Sequence, residues 1–160
     1  MKRLVSVALC AVLLITLLTG CIPDSREFTC QDLTMDVPLL MKDVSANSEF
    51  SNFTFTLDGN NLAIFGQRDE FTQFEVFEIT AMEYAKALIS ANNHNCQPIT
   101  RSNGQYVYYS YEATVDGQQF KYVAGCYKGT KAMWLVQFGG PVENVDLETC
   151  LGYLDTVVVR

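Results

Sequence analysis

The chain has 160 residues, with 18 acidic side chains against 11 basic ones, a single histidine and a net charge of −7 at neutral pH. That balance excludes nucleic acid and anionic surfaces as electrostatic partners, because like charges repel. With 49% hydrophobic residues the chain can bury a core, and its length suits about one domain.

Lys2 and Arg3 open the sequence, and Leu4 to Leu18 is apolar except for Ser6 and Thr16. This run falls short of the ~20 apolar residues that cross a hydrocarbon core. A basic start, an apolar run and small residues at its end describe an export signal instead. The run ends Leu18-Thr19-Gly20-Cys21, which resembles the lipobox of bacterial lipoproteins. The resemblance implies cleavage between Gly20 and Cys21 and a diacylglyceryl group on the Cys21 thiol. It places the protein at the extracytoplasmic face of the cell membrane, held there by two acyl chains, which suffice for stable anchoring where one does not. Removing residues 1–20 discards Cys10 and both leading basic residues, leaving 140 residues with a net charge of −9. The acyl anchor, rather than a basic patch, must therefore hold the protein at the membrane. Residues 21–27 are expected to form a short lipidated tether, and 28–160 a single domain.

Leu33, Met35 and Val37 alternate with Thr34 and Asp36, a strand ended by Pro38. Phe53, Phe55 and Leu57 alternate likewise, and Asp58-Gly59-Asn60 turns the chain into Leu62-Ala63-Ile64-Phe65, giving a hairpin. Phe71 to Ile79 is mixed and reads as a further short strand. Thr80-Ala81-Met82-Glu83 has the form of a capping box, opening a helix through Ser90 with Met82, Ala85, Leu88 and Ile89 as its apolar stripe. Asn103-Gly104, Asp116-Gly117 and Lys128-Gly129 then separate strands over 97–102, 105–115, 118–127 and 131–138. Two-residue turns make these neighbours antiparallel. Gly139-Gly140-Pro141 is expected to break the sheet. Leu147, Cys150, Leu151 and Leu154 then mark one face of a closing helix, and Val157 to Val159 tuck against the sheet.

Strands, helix, meander and helix together predict an α+β domain with an antiparallel sheet. The middle strands are apolar on both faces, so a helix is expected to cover each side. The segments "LTMDVP", "GQYVYYSYEATVDGQQFKYVAGCYKG" and "AMWLVQF" carry a resemblance to the PsbP-like fold, an α/β/α sandwich. That fold is shared by extrinsic photosystem II proteins, a Ran-binding nuclear-import factor and many lipid-anchored bacterial proteins of unknown role. The matching segments build the fold and carry no active-site signature, so no binding residue is transferred.

Four cysteines remain in the mature domain, Cys30, Cys96, Cys126 and Cys150. In an exported domain they read as two disulfides, with Cys126–Cys150 and Cys30–Cys96 as the expected pairs. They lack the close C-x-x-C spacing of a metal or redox site, and neither metal nor cofactor is expected. Tyr106, Tyr108, Tyr109, Tyr111 and Trp134 form a candidate aromatic binding surface for a glycan or peptide, although alternation divides the tyrosines between two strand faces. No nucleophile–base or metalloenzyme motif accompanies His94. The expected function is therefore a monomeric, non-catalytic binding or assembly-accessory module with a protein or glycan partner. The alternative is a small surface hydrolase acting on cell-wall or glycan material, and a third reading is a chiefly structural envelope protein.

Overall fold

The computed structural model describes residues 24–49, 51–59, 61–73, 79–102 and 104–160. The expected export signal and Cys21 lie outside these residues. So does most of the strand expected between Phe71 and Ile79, whose first residues, Phe71–Gln73, form a 3-10 turn.

Ten strands among the described residues fall into two antiparallel sheets, and two helices pack against them, an α+β domain. The first strand, β1 (Ser25–Cys30), pairs along its whole length with β2 (Leu33–Pro38). Gln31, at φ 53°, and Asp32 make the tight turn between them. The segment expected to be tether thus enters the fold at Ser25. β1 escaped the sequence pattern because it is an edge strand, mostly exposed and without alternation. β10 (Val158–Val159) pairs with the other side of β2 and completes a three-stranded sheet.

The larger sheet contains β3 (Lys42–Asp43), β4 (Phe53–Leu57), β5 (Leu62–Glu70), β6 (Ile99–Thr100), β7 (Val107–Val115), β8 (Gln118–Lys128) and β9 (Ala132–Pro141), in the order β3-β4-β5-β9-β8-β7-β6. The hairpin β4–β5 and the meander β6 to β9 appear as their turn residues dictate. Asp116 and Gly117, both at positive φ, close β7 onto β8. Gly139-Gly140-Pro141, expected to end the sheet, instead continues β9 to its edge. Gly139 pairs with Ala63 on one side and Tyr122 on the other, and Pro141 opposes Phe120 at the strand's last position. Glycine is tolerated there because the Tyr122 ring fills the space: a Cβ on Gly139 would stand 2.6 Å from Tyr122 Cδ1.

Every residue of β9 is buried, because both faces of the sheet are covered. Helix α1 (Ala81–Ala91) lies over one face. Its Thr80 cap is the expected box: Thr80 Oγ1 accepts from the Glu83 amide at 3.2 Å, and the Thr80 amide donates to Glu83 Oε2 at 2.8 Å. Its buried residues are Tyr84, Ala85 and Ile89, with Met82 and Leu88 only partly covered. Tyr84 thus joins the stripe, and its hydroxyl donates to Asp69 Oδ2 at 2.5 Å. On this face α1 packs with Val107, Tyr109, Ala124, Cys126, Met133 and Leu135.

Helix α2 (Leu147–Leu154) and the small sheet cover the opposite face. Asp146 caps α2, accepting from the Thr149 amide and hydroxyl at 2.8 Å each. Cys150, Leu151, Tyr153 and Leu154 meet Leu33, Met35, Val37, Phe53, Phe55, Trp134, Val136 and Phe138 in the larger core. Asp32 pins the two sheets together, its Oδ1 accepting from Trp134 Nε1 at 2.9 Å and Arg68 Nε at 3.2 Å. Burial acts against ionisation of Asp32, but those two donors outweigh it and hold its carboxyl below the usual range.

Candidate functional site

The apolar residues of the larger core do not close completely at one end of α2. Between that helix and the loop after β2 lies a cavity of about 470 Å³, within the ~300–1,000 Å³ range of small-molecule sites. Phe138 of β9 and Tyr153 of α2 stack at 6.0 Å between centroids in its lining, with Cys150 one helical turn before Tyr153. Leu57 and Leu62, flanking the β4–β5 turn, add aliphatic surface. The loop Leu39-Leu40-Met41 completes it because Pro38 stops β2 and the chain must turn.

That loop is held firmly. The Leu39 amide donates to the Asp24 carbonyl at 2.8 Å, the Met41 amide to the Pro38 carbonyl at 3.0 Å, and Arg26 Nη2 to the Met41 carbonyl at 3.0 Å. Met41 is 1% exposed and anchors the loop in the core, while Leu39 is 50% and Leu40 79% exposed. The polar residues of the rim are Asp24, Asn144, Asp146 and Thr149. Hydrogen bonds from Thr149 hold the Asp146 carboxyl below the usual range, so it is charged and already engaged as a cap. Burial pushes the Cys150 thiol up to about 12, which leaves it protonated and unreactive as a nucleophile. The lining therefore offers hydrocarbon and aromatic contact with charge only at the mouth.

The five residues of the expected aromatic surface are not brought together. Tyr106, Tyr109 and Trp134 are 2%, 2% and 0% exposed. Tyr108 and Trp134 join the core under α2, whereas Tyr109 and Tyr111 lie on the α1 face. Tyr106 stacks on Tyr127 at 4.8 Å and donates to Asp155 Oδ1 at 2.9 Å, a packing role. A different aromatic row forms on the α1 face, where His94, Tyr111, Tyr122 and Phe120 stack in sequence with centroid separations of 3.6, 4.9 and 6.4 Å. Gln137 Nε2 donates to the Tyr111 hydroxyl at 3.2 Å. Burial lowers the pKa of His94, so the imidazole is neutral at pH 7, and among the described residues no ion pair joins it to a carboxylate.

Cys30, Cys96, Cys126 and Cys150 are free thiols in the structure. The structure places Cys126 and Cys150, an expected pair, apart from each other. Cys126 packs under α1 and Cys150 in the core on the other side of the same sheet, so the strands stand between them. Cys30 and Cys96 are divided in the same way. A disulfide needs Cα atoms within about 7 Å and converging Cβ vectors, and faces of one sheet point their side chains apart. Among the described residues no group of three or more His, Cys, Asp or Glu side chains is placed to hold a metal ion.

Leu57 and Leu62 were read from the sequence only as strand residues, and Leu39 and Leu40 were not singled out. The available signal was "PLLM", two consecutive leucines between a strand-ending proline and a polar stretch. Such a run in a loop is either folded inward or left exposed, and only the tertiary structure distinguishes the two.

No family model matches the chain, and no curated protein matches it. Among solved structures, a crystal structure from Bacteroides thetaiotaomicron VPI-5482 is similar, with a TM-score of 0.58 at 10% identity. The similarity covers 86% of this chain but 48% of the other, so this chain spans about half the length of that protein. The likeness is one of fold. No helix among the described residues is long and apolar enough to cross a membrane.

Proposed function

We propose that this chain is a bacterial lipoprotein, anchored through a diacylglyceryl group on Cys21 at the extracytoplasmic face of the cell membrane. Its domain acts as a non-catalytic binding module. The observation that carries the binding reading is the apolar cavity of about 470 Å³ beneath α2, whose described lining residues offer apolar contact and no activated acid, base or nucleophile. The antiparallel sheet covered on both faces supports the finer assignment to the PsbP-like fold, whose members include lipid-anchored bacterial proteins. The anchor reading rests on Leu18-Thr19-Gly20-Cys21 following the basic start and apolar run.

Metabolic labelling with an alkyne-bearing fatty acid tests the anchor. The wild-type chain is expected to take up label and to yield a mature N-terminal peptide beginning at Cys21, while Cys21→Ser remains unlabelled. An unlabelled wild-type chain overturns the lipoprotein assignment. Partition of an environment-sensitive apolar dye tests the binding reading, since Leu62→Trp should fill the cavity and reduce dye uptake. Equal uptake by a folded Leu62→Trp protein removes the cavity as the binding site.

A further inference from the structure

We infer that the groove mouth is the surface on which the domain rests against its own bilayer, with Leu39 and Leu40 entering the hydrocarbon layer and the groove receiving an acyl chain of a zwitterionic phospholipid. The inference deepens the anchoring proposal and rests on it. Its first support is the length of the leash. Asp24 lies in the groove rim, and its carbonyl is bonded to the Leu39 amide. Only Ile22 and Pro23 separate Cys21 from Asp24, and these three residue steps span at most about 11 Å when fully extended. A lipid on Cys21 therefore keeps this rim next to the membrane surface, and the domain has too little chain to turn the face away.

The second support is what that rim exposes. Among the described residues Leu40 is the most exposed large hydrophobic one, and Leu39 stands beside it. Three hydrogen bonds and the buried Met41 fix their loop, so neither leucine can bury itself by folding back. They continue the apolar lining formed by Leu57, Leu62 and Phe138. An apolar patch continuous with a cleft marks an interaction surface rather than scattered exposure. The aromatic row headed by His94 lies on the opposite face of the sheet and is directed away from the leash.

Charge selects the lipid. Asp24 and Asp146 flank the mouth, and Asp146 is held ionised by Thr149. Arg26 is engaged with the Met41 carbonyl and the Phe55 ring, and Lys42 is paired with Asp58. A free fatty acid or an anionic headgroup would meet repulsion at this mouth, whereas a zwitterionic lipid presents no net charge to it.

The test places a reporter in the rim. Leu40→Trp is made in the lipidated protein and reconstituted into phosphatidylcholine vesicles carrying brominated acyl chains. The native Trp134 is fully buried and supplies a constant background. With the wild-type signal subtracted, emission from the introduced indole is expected to shift to the blue and to be quenched by bromine in the upper acyl region. Unshifted, unquenched emission overturns the inference. A blue shift without quenching also overturns it, because the anchor's own chain or a second copy then covers the rim. A chain beginning at Ile22, which lacks Cys21 but retains both cores, separates this failure from failure of the anchor. Carrying Leu40→Trp, it should still partition onto phosphatidylcholine vesicles, and less onto phosphatidylglycerol vesicles at low salt. Replacing both Leu39 and Leu40 by Asp in that chain should weaken partition by about tenfold or more. Preference for phosphatidylglycerol, or partition unaffected by the two aspartates, refutes the docking face whether or not Cys21 is lipidated.

Discussion

Gly66 gives the larger core its sharpest test. It lies in β5 opposite Phe53, and a Cβ built on it would stand 2.1 and 2.2 Å from Phe53 Cε1 and Cζ. Ordinary van der Waals contact begins near 3.4 Å, so the ring must retreat by more than an ångström. It has nowhere to go. Phe53 is 0% exposed, with Phe28 at 5.0 Å, Phe55 at 6.1 Å and Trp134 at 6.2 Å between centroids. Overpacking a core costs roughly 1–3 kcal/mol, and expelling an aromatic ring approaches the ~3–5 kcal/mol of Phe→Ala. Gly66→Ala is therefore expected to lose about 3 kcal/mol in urea denaturation, and for a domain of this size about 12 °C in Tm. Phe53→Leu alone should cost ~1–2 kcal/mol through the cavity it leaves. Combined with Gly66→Ala it should restore part of the stability, a favourable coupling of at least ~1 kcal/mol between residues in contact. A Gly66→Ala protein within about 0.5 kcal/mol of wild type, or strictly additive losses in the double variant, would show that Phe53 is not packed as described.

Gly139→Ala is expected to be milder, about 1 kcal/mol in the same assay, because the Tyr122 ring it meets is only half-buried and can shift toward solvent. Asp155 accepts from Arg101 Nε and Nη2 at 3.0 and 2.7 Å and from Tyr106 at 2.9 Å, and the Arg101 bonds chiefly hold its carboxyl below the usual range. A depressed folded-state pKa gives stability that is complete above the unfolded value of about 3.9 and is lost as pH falls through the folded value. Asp155→Asn should thus cost about 1–2 kcal/mol at pH 7, and the deficit should shrink in melts carried down from pH 4; a deficit constant to pH 2 contradicts the ion pair. Peptide mapping without reductant is expected to yield no Cys126–Cys150 peptide, and recovery of one would refute the placement of these residues on opposite sheet faces.

What was legible in the sequence was local. Asp116-Gly117 closes a hairpin because its backbone needs positive φ, and Thr80 with Glu83 opens a helix because two amides there lack partners within it. Alternation marked β2 and β4, which each have one buried face, and the apolar spacing of Leu147, Cys150, Leu151 and Leu154 located α2. The α+β class followed from the order of those elements. The proposed export signal rests likewise on a local pattern, charge followed by an apolar run.

The tertiary structure decided everything that depends on residues far apart in the chain. β1 shows no alternation because its partner β2, not a core beneath it, defines it. Gly139-Gly140-Pro141 reads as a break, yet stays in the sheet because Tyr122 and Leu62 occupy the space its missing side chains leave. The tyrosines of β7, which alternation divides between two strand faces, became parts of two cores, since a sheet covered on both sides buries both sets of alternate residues. The same two-sided burial sets Cys126 and Cys150 in different cores. The groove came last in legibility because its walls derive from β2, the β4–β5 turn, β9 and α2. Periodicity reports which face of an element is apolar, but a gap between elements exists only after they pack, where side-chain volumes fail to fill the space between them.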